Sequence, residues 1–99
     1  MTEALSHQQK RVRVLINGIV QGVGFRYFVI RKARSLGGIT GFVRNLRSGG
    51  VEVVAEGSPE ALEKLIQALH QGPPGAVVES VAVEWGEPTG SFRDFELRW

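Results

Sequence analysis

The stretch Arg11–Gly57, RVRVLINGIVQGVGFRYFVIRKARSLGGITGFVRNLRSGGVEVVAEG, decides the fold. Val12, Val14 and Ile16 alternate with Arg13, Leu15 and Asn17, the period of a strand buried mainly on one face. Gly18 to Gly24 (GIVQGVG) has glycines at 18, 22 and 24 and reads as a loop. Phe25, Phe28, Val29, Ala33 and Leu36 then fall at helical spacing, and Gly37-Gly38 supplies the stop. Ile39 to Leu46 and Val51 to Glu56 read as two strands. Between them Arg47-Ser48-Gly49-Gly50 is a short connection with the glycines a hairpin needs.

Working outward, Ser58-Pro59-Glu60 opens a second helix with an N-cap serine, a proline at the first helical position and an acid in the first turn. Its apolar stripe is Leu62, Leu65, Ile66 and Leu69. It ends at Gly72, and Pro73-Pro74-Gly75 blocks continuation. Val77 to Trp85 reads as a strand with Val81, Val83 and Trp85 on one face, and Phe95, Leu97 and Trp99 mark a last strand after the turn at Gly86 to Gly90. Residues 1–10, MTEALSHQQK, are polar and aperiodic and are expected to form a flexible tail, leaving 11–99 as a single domain.

The order is β-α-β-β-α-β plus a short terminal strand. A right-handed β-α-β unit makes the first two strands parallel, and the hairpin partner fills the gap between them antiparallel. The predicted fold is α+β, a ferredoxin-like βαββαβ plait, with a mostly antiparallel sheet and two helices on one face.

Composition narrows the function classes. The 99 residues are 42% hydrophobic and 22% charged, as in an ordinary globule. At this size folding buries about 65% of the unfolded chain's surface, so the core is adequate but thin. No apolar run approaches a membrane span, and Met1 to Lys10 has no apolar h-region, so neither membrane insertion nor a secretory signal is expected. The absence of cysteine removes disulfides, thiolate catalysis and Cys-based zinc sites, and a cytoplasmic protein is the expectation. Net charge is only +2, with the basic stretch confined to Arg26, Arg31, Lys32, Arg34, Arg44 and Arg47, so nucleic-acid binding is unforced.

The topology places possible chemistry at one rim. If strands one and two are parallel, their C-terminal ends lie together, and that rim receives both the Gly18–Gly24 loop and Asn45. The loop runs into a helix N-terminus, whose free N–H groups and dipole suit an anion. Arg26 sits in that first turn, where a cation is unfavourable unless an anion lies between it and the amides. The same glycines also suit a tight turn with no ligand, and spacing alone leaves both readings open. The loop is neither a P-loop nor a G-x-G-x-x-G fingerprint, which disfavours a nucleotide.

Gly18-Ile19-Val20-Gln21-Gly22-Val23-Gly24-Phe25-Arg26 closely resembles the acylphosphatase signature G-x-V-Q-G-V-x-F-R. Gly41-Phe42-Val43-Arg44-Asn45, followed by Gly50 to Gly57, resembles that family's second motif. The resemblance covers all but the first ten residues. It implies the plait derived above and hydrolysis of acyl phosphates to a carboxylate and phosphate, without metal or cofactor. It further implies Arg26 as the phosphate-binding arginine, Asn45 as the water-positioning asparagine, and Gln21, Gly22, Val23, Gly24, Phe25 and Arg26 as the amide cradle. Phe42 stands where the family often has Trp, and Ser48-Gly49 where it has Asp-Gly; neither substitution touches the polar roles. The partner implied is a small-molecule acyl phosphate, and inorganic phosphate or sulfate is expected to compete with it; composition gives no nucleic-acid or membrane partner, and a monomer is the expectation for so small a domain.

Other residues have plainer readings. His7 and His70 lie far apart with no third ligand at metal spacing. Glu52, Glu56, Glu60 and Glu63 read as solvated faces, and Trp85, Phe95 and Trp99 as core or edge cover. An RNA-binding plait is the chief rival, but its third strand should carry a basic-aromatic motif, whereas Val51 to Glu56 has two acids and no aromatic. The second rival is a non-catalytic or carbamoyl-handling accessory domain related to acylphosphatase, of the kind that usually belongs to a longer chain.

Overall fold

The computed structural model describes residues 8–99; His7 and most of the expected tail lie outside the described residues. Lys10, placed with the tail on sequence, instead opens the first strand opposite Gly57. The elements follow the predicted order: β1 (Lys10–Ile19), α1 (Phe25–Leu36), β2 (Thr40–Asn45), β3 (Val51–Gly57), α2 (Pro59–Gln71), β4 (Val77–Gly86) and β5 (Phe95–Arg98). Five strands form one sheet in the order β4-β1-β3-β2-β5. β3 runs antiparallel to both β1 and β2, so those two are parallel with β3 between them, as the hairpin argument requires. β4 pairs antiparallel with β1, and β5 pairs parallel with β2 at the far edge. This is the ferredoxin-like plait.

Burial follows the strand period. Val12, Val14 and Ile16 of β1 join Val51, Val53 and Ala55 of β3 and Val43 of β2 under the two helices. α1 contributes Phe25, Val29, Ile30 and Ala33; α2 contributes Leu62, Leu65, Ile66 and Leu69. Fully burying one such side chain is worth about 1.5–3 kcal/mol, and this shared layer is what holds the helices to the sheet. α2 is capped as predicted: the Ser58 hydroxyl accepts from the Ala61 N–H at 3.2 Å, and the Gly72 N–H donates to the Ala68 carbonyl at 2.9 Å.

The other sheet face corrects two expectations. Glu52 and Glu56 are not solvated; each is only 3% exposed. Glu52 accepts at 2.6 Å from both Arg13 Nε and Arg44 Nε. Glu56 accepts from the Thr89 N–H, the Thr89 hydroxyl and the Gly90 N–H at 2.9–3.0 Å, with Arg11 at 3.7 Å. The cause is topological. Residues 87–94 must run from β4 at one edge to β5 at the other, and Glu56 anchors that crossing.

Of the three aromatics expected as core or edge cover, Phe95 is core. Trp85 remains 42% exposed beside Val83 on edge strand β4, because two helices cannot roof five strands. Trp99 is 90% exposed, and its ring lies over Arg26 instead.

Candidate functional site

The β1–α1 loop and the end of β2 meet at one rim. They enclose a recess of about 120 Å³ lined by Val20, Gly22, Gly24, Phe25, Arg26, Tyr27 and Asn45. Gly22 and Gly24 hold left-handed backbone (φ 75° and 77°), a conformation that costs a side-chain-bearing residue energy but not glycine. Gly24 is also the N-cap of α1, with no side-chain cap and no acid in the first turn. The first-turn N–H groups of α1 therefore have neither an intrahelical partner nor a capping oxygen, and they carry the positive end of the helix dipole. Phe25 turns its ring into the core and fixes the helix start.

Arg26 follows directly. Among the described residues its guanidinium enters no ion pair; the Trp99 ring lies beside it, 4.8 Å from Cζ to centroid. A cation stacked on an indole keeps its N–H fork free in the ring plane, where a planar or tetrahedral oxyanion can meet it. Asn45 ends β2, opposite Val51. Of the sequence-nominated residues, Gly22, Gly24, Phe25, Arg26 and Asn45 thus share one recess. Gln21 and Val23 belong to the same loop without lining it.

Gln21 does more than contribute its backbone. Its side-chain amide donates to the Leu46 carbonyl at 2.7 Å and to the Gly50 carbonyl at 2.8 Å. Sequence spacing gives no signal for this contact, nor for Trp99 beside Arg26. The Arg44–Glu52 pair did have one: the short 46–50 connection puts Arg44 directly opposite Glu52 in the hairpin register.

A helix N-terminus with open amides, a planar cation with no counter-ion among the described residues and a carboxamide across a small recess suit a phosphoryl-sized anion and a neighbouring water. The comparisons with known proteins bear on which anion. The acylphosphatase family model matches residues 12–97. An acylphosphatase of Salinibacter ruber is 50% identical over 90 residues, which is 91% of this chain and 94% of that one. The crystal structure of acylphosphatase from Bacillus subtilis superposes with a TM-score of 0.87 at 33% identity, covering 91% of this chain and 99% of that one. A crystal structure of T. kodakarensis HypF also matches, with a TM-score of 0.78 and 36% identity, but over 91% of this chain and only 12% of that one. The chain belongs to the acylphosphatase family, and it is an enzyme of that family.

Proposed function

We propose that the chain hydrolyses the carboxyl–phosphate bond of acyl phosphates with Arg26 and the loop amides holding the phosphoryl group and Asn45 holding the water. The observation that supports this division is the single recess lined by Gly22, Gly24, Arg26 and Asn45. An acyl phosphate already carries a good leaving group, its carboxylate, so no strong general acid is needed. The remaining work is positioning and charge stabilisation in transit.

The amides of Gln21 to Arg26 face the equatorial oxygens, and the permanently charged guanidinium of Arg26 offers a planar pair of donors. Asn45 accepts a hydrogen bond from the water through its carbonyl and donates one through its amide, aligning the oxygen for in-line attack. The oxygen–phosphorus bond forms as the phosphorus–acyl oxygen bond breaks. Its electron pair leaves with the carboxylate, and the water's surplus proton passes to a phosphate oxygen or to solvent. No covalent enzyme intermediate and no resident metal enter this scheme. Inorganic phosphate and sulfate compete for the same donors, and the enzyme acts as a cytoplasmic monomer.

The test is phosphate release from benzoyl phosphate in excess EDTA, with activity expected to persist. Activity that returns only with a divalent metal overturns the metal-free scheme. The likeness to a segment of HypF supports a second reading, a domain working within a larger assembly. Turnover by the chain alone decides against it.

A further inference from the structure

We propose that the Gln21 side chain is a positioning residue for this reaction, fixing the phosphate-binding loop against the turn behind Asn45 so that phosphoryl group and water keep one spacing. The inference rests on the roles of Arg26 and Asn45 proposed above.

A primary amide has two N–H donors, and Gln21 uses both: one meets the Leu46 carbonyl at 2.7 Å, the other the Gly50 carbonyl at 2.8 Å. Those carbonyls stand at the two ends of the β2–β3 turn. The turn is already closed by the Leu46 N–H donating to the Gly50 carbonyl at 2.8 Å and the Gly49 N–H to the Leu46 carbonyl at 3.1 Å. The hairpin therefore has its own bonds, and the glutamine adds a link between segments.

The placement of that link carries the inference. Gln21 lies between Val20 and Gly22, both lining the recess; Leu46 follows Asn45, which lines it from the other side. The two chain segments that supply the phosphate cradle and the water-holding carboxamide are thus tied together one residue away from each. Among the described residues no other side-chain hydrogen bond joins the loop to this turn. Gly50 lets the turn come this close: a Cβ there would stand 2.7 Å from Asn17 Oδ1 and 2.8 Å from the Ile16 carbonyl, at the strand end from which the loop departs. Both tie bonds are partly buried, so water competes poorly for the carbonyls.

An in-line attack depends on the distance between water and phosphorus. A misplacement of about 1 Å costs up to about 100-fold in rate, whereas anion binding to Arg26 and the loop tolerates it better. The decisive variant is Gln21→Met, which keeps the length and removes both donors. It is compared with the unsubstituted chain, Asn45→Ala and the double variant by kcat and KM for benzoyl phosphate. Gln21→Met should lower kcat about tenfold with KM little changed, and should cost less than about twofold once Asn45 is already alanine.

Equal losses in both backgrounds, or no loss in either, overturn the inference while leaving the reaction in place. Failure of the unsubstituted chain to hydrolyse the substrate removes both. Should Gln21→Met not fold, the unsubstituted chain still decides. By NMR its Gln21 side-chain N–H protons should exchange slowly and shift when inorganic phosphate binds; exchange as fast as in a free glutamine overturns the tie.

Discussion

Two regions of this small sheet treat charge in opposite ways. On the face away from the helices, Glu52 and Glu56 are buried and every carboxylate oxygen has a donor: Arg13 and Arg44 on one, Thr89 and Gly90 on the other. At the rim, Arg26 lies in the uncapped first turn of α1 with an indole for a neighbour and, among the described residues, no carboxylate partner. The first arrangement ties strands and a crossing segment together. The second leaves donors converging on a recess of ligand size. Satisfied charge maintains the fold here, and unsatisfied charge of one sign lies at the rim where the anion site is proposed.

The sharpest way to break that contrast is to remove the free charge. Arg26→Ala should cut kcat/KM for benzoyl phosphate about 10³-fold, raising KM as well as lowering kcat, because in the proposed mechanism the guanidinium meets the phosphoryl group before and during reaction. Arg26→Lys should restore little, since an ammonium does not reproduce the fork. Asn45→Ala should lose about 100-fold in kcat while inorganic phosphate still binds nearly as before. Calorimetric titration with phosphate separates the two roles. A near-normal kcat in Asn45→Ala sinks the water-holding assignment and leaves Arg26 and the loop.

The opposite experiment removes satisfied charge. Glu56→Ala strips Thr89 and Gly90 of their acceptor and frees residues 87–94 from the sheet. A loss of about 2 kcal/mol in unfolding free energy follows from hydrogen bonds to a buried carboxylate, with kcat unchanged in the folded fraction. Urea unfolding and turnover on the same sample check both halves. An activity loss at undiminished stability would mean that this face takes part in the reaction after all.

The same carboxylates set a pH dependence. Burial by itself raises the Glu52 pKa, but the hydrogen bonds and charges of Arg44 and Arg13 outweigh it and hold the group below its ordinary value of 4.5. For Glu56, burial is likewise outweighed, by the N–H groups of Thr89 and Gly90, the Thr89 hydroxyl and the charge of Arg11. A carboxylate with a lowered folded pKa binds protons more readily when unfolded. Its stabilisation is therefore complete above the ordinary pKa and is lost as pH falls through the lowered value. Tm should stay level from pH 7 to about 5 and fall steeply below about 4, and Glu52→Gln with Glu56→Gln should flatten that fall. An equally steep fall in the double variant assigns acid lability elsewhere.

Why one of these regions was legible in the sequence and the other was not comes down to range. Strand period, the 47–50 turn, the Ser58 cap and the glycine stops act within a few residues, and the plait follows from their order. The rim could be placed as well, since parallel β1 and β2 must bring the loop and Asn45 to one end of the sheet. Alternation in Val51 to Glu56 could not reveal that residues 87–94 cover Glu56, because that depends on where β5 joins the sheet. Gln21 and Trp99 escaped for the same reason. Their partners are 25 or more positions away, and neither residue type announces one.

Trp99 offers the smallest effect and a fine test of how free Arg26 is. Its ring sits 4.8 Å over the guanidinium while staying almost wholly in solvent. An exposed cation–π contact is worth about 0.5–1 kcal/mol, and 1.4 kcal/mol corresponds to tenfold, so Trp99→Ala should weaken phosphate binding or raise KM by about two- to fivefold. Stability should barely change, since the indole buries little. Trp99→Phe should recover part of the loss because a benzene face still attracts the cation, and Trp99→Leu should not. If Trp99→Leu matched the unsubstituted chain while Trp99→Ala did not, the ring would act by bulk and not by its π-face. A loss in Trp99→Ala as deep as that in Arg26→Ala would mean that the arginine is held in place by the indole rather than free-standing, and the contrast between tied and open charge would have to be redrawn at the rim itself.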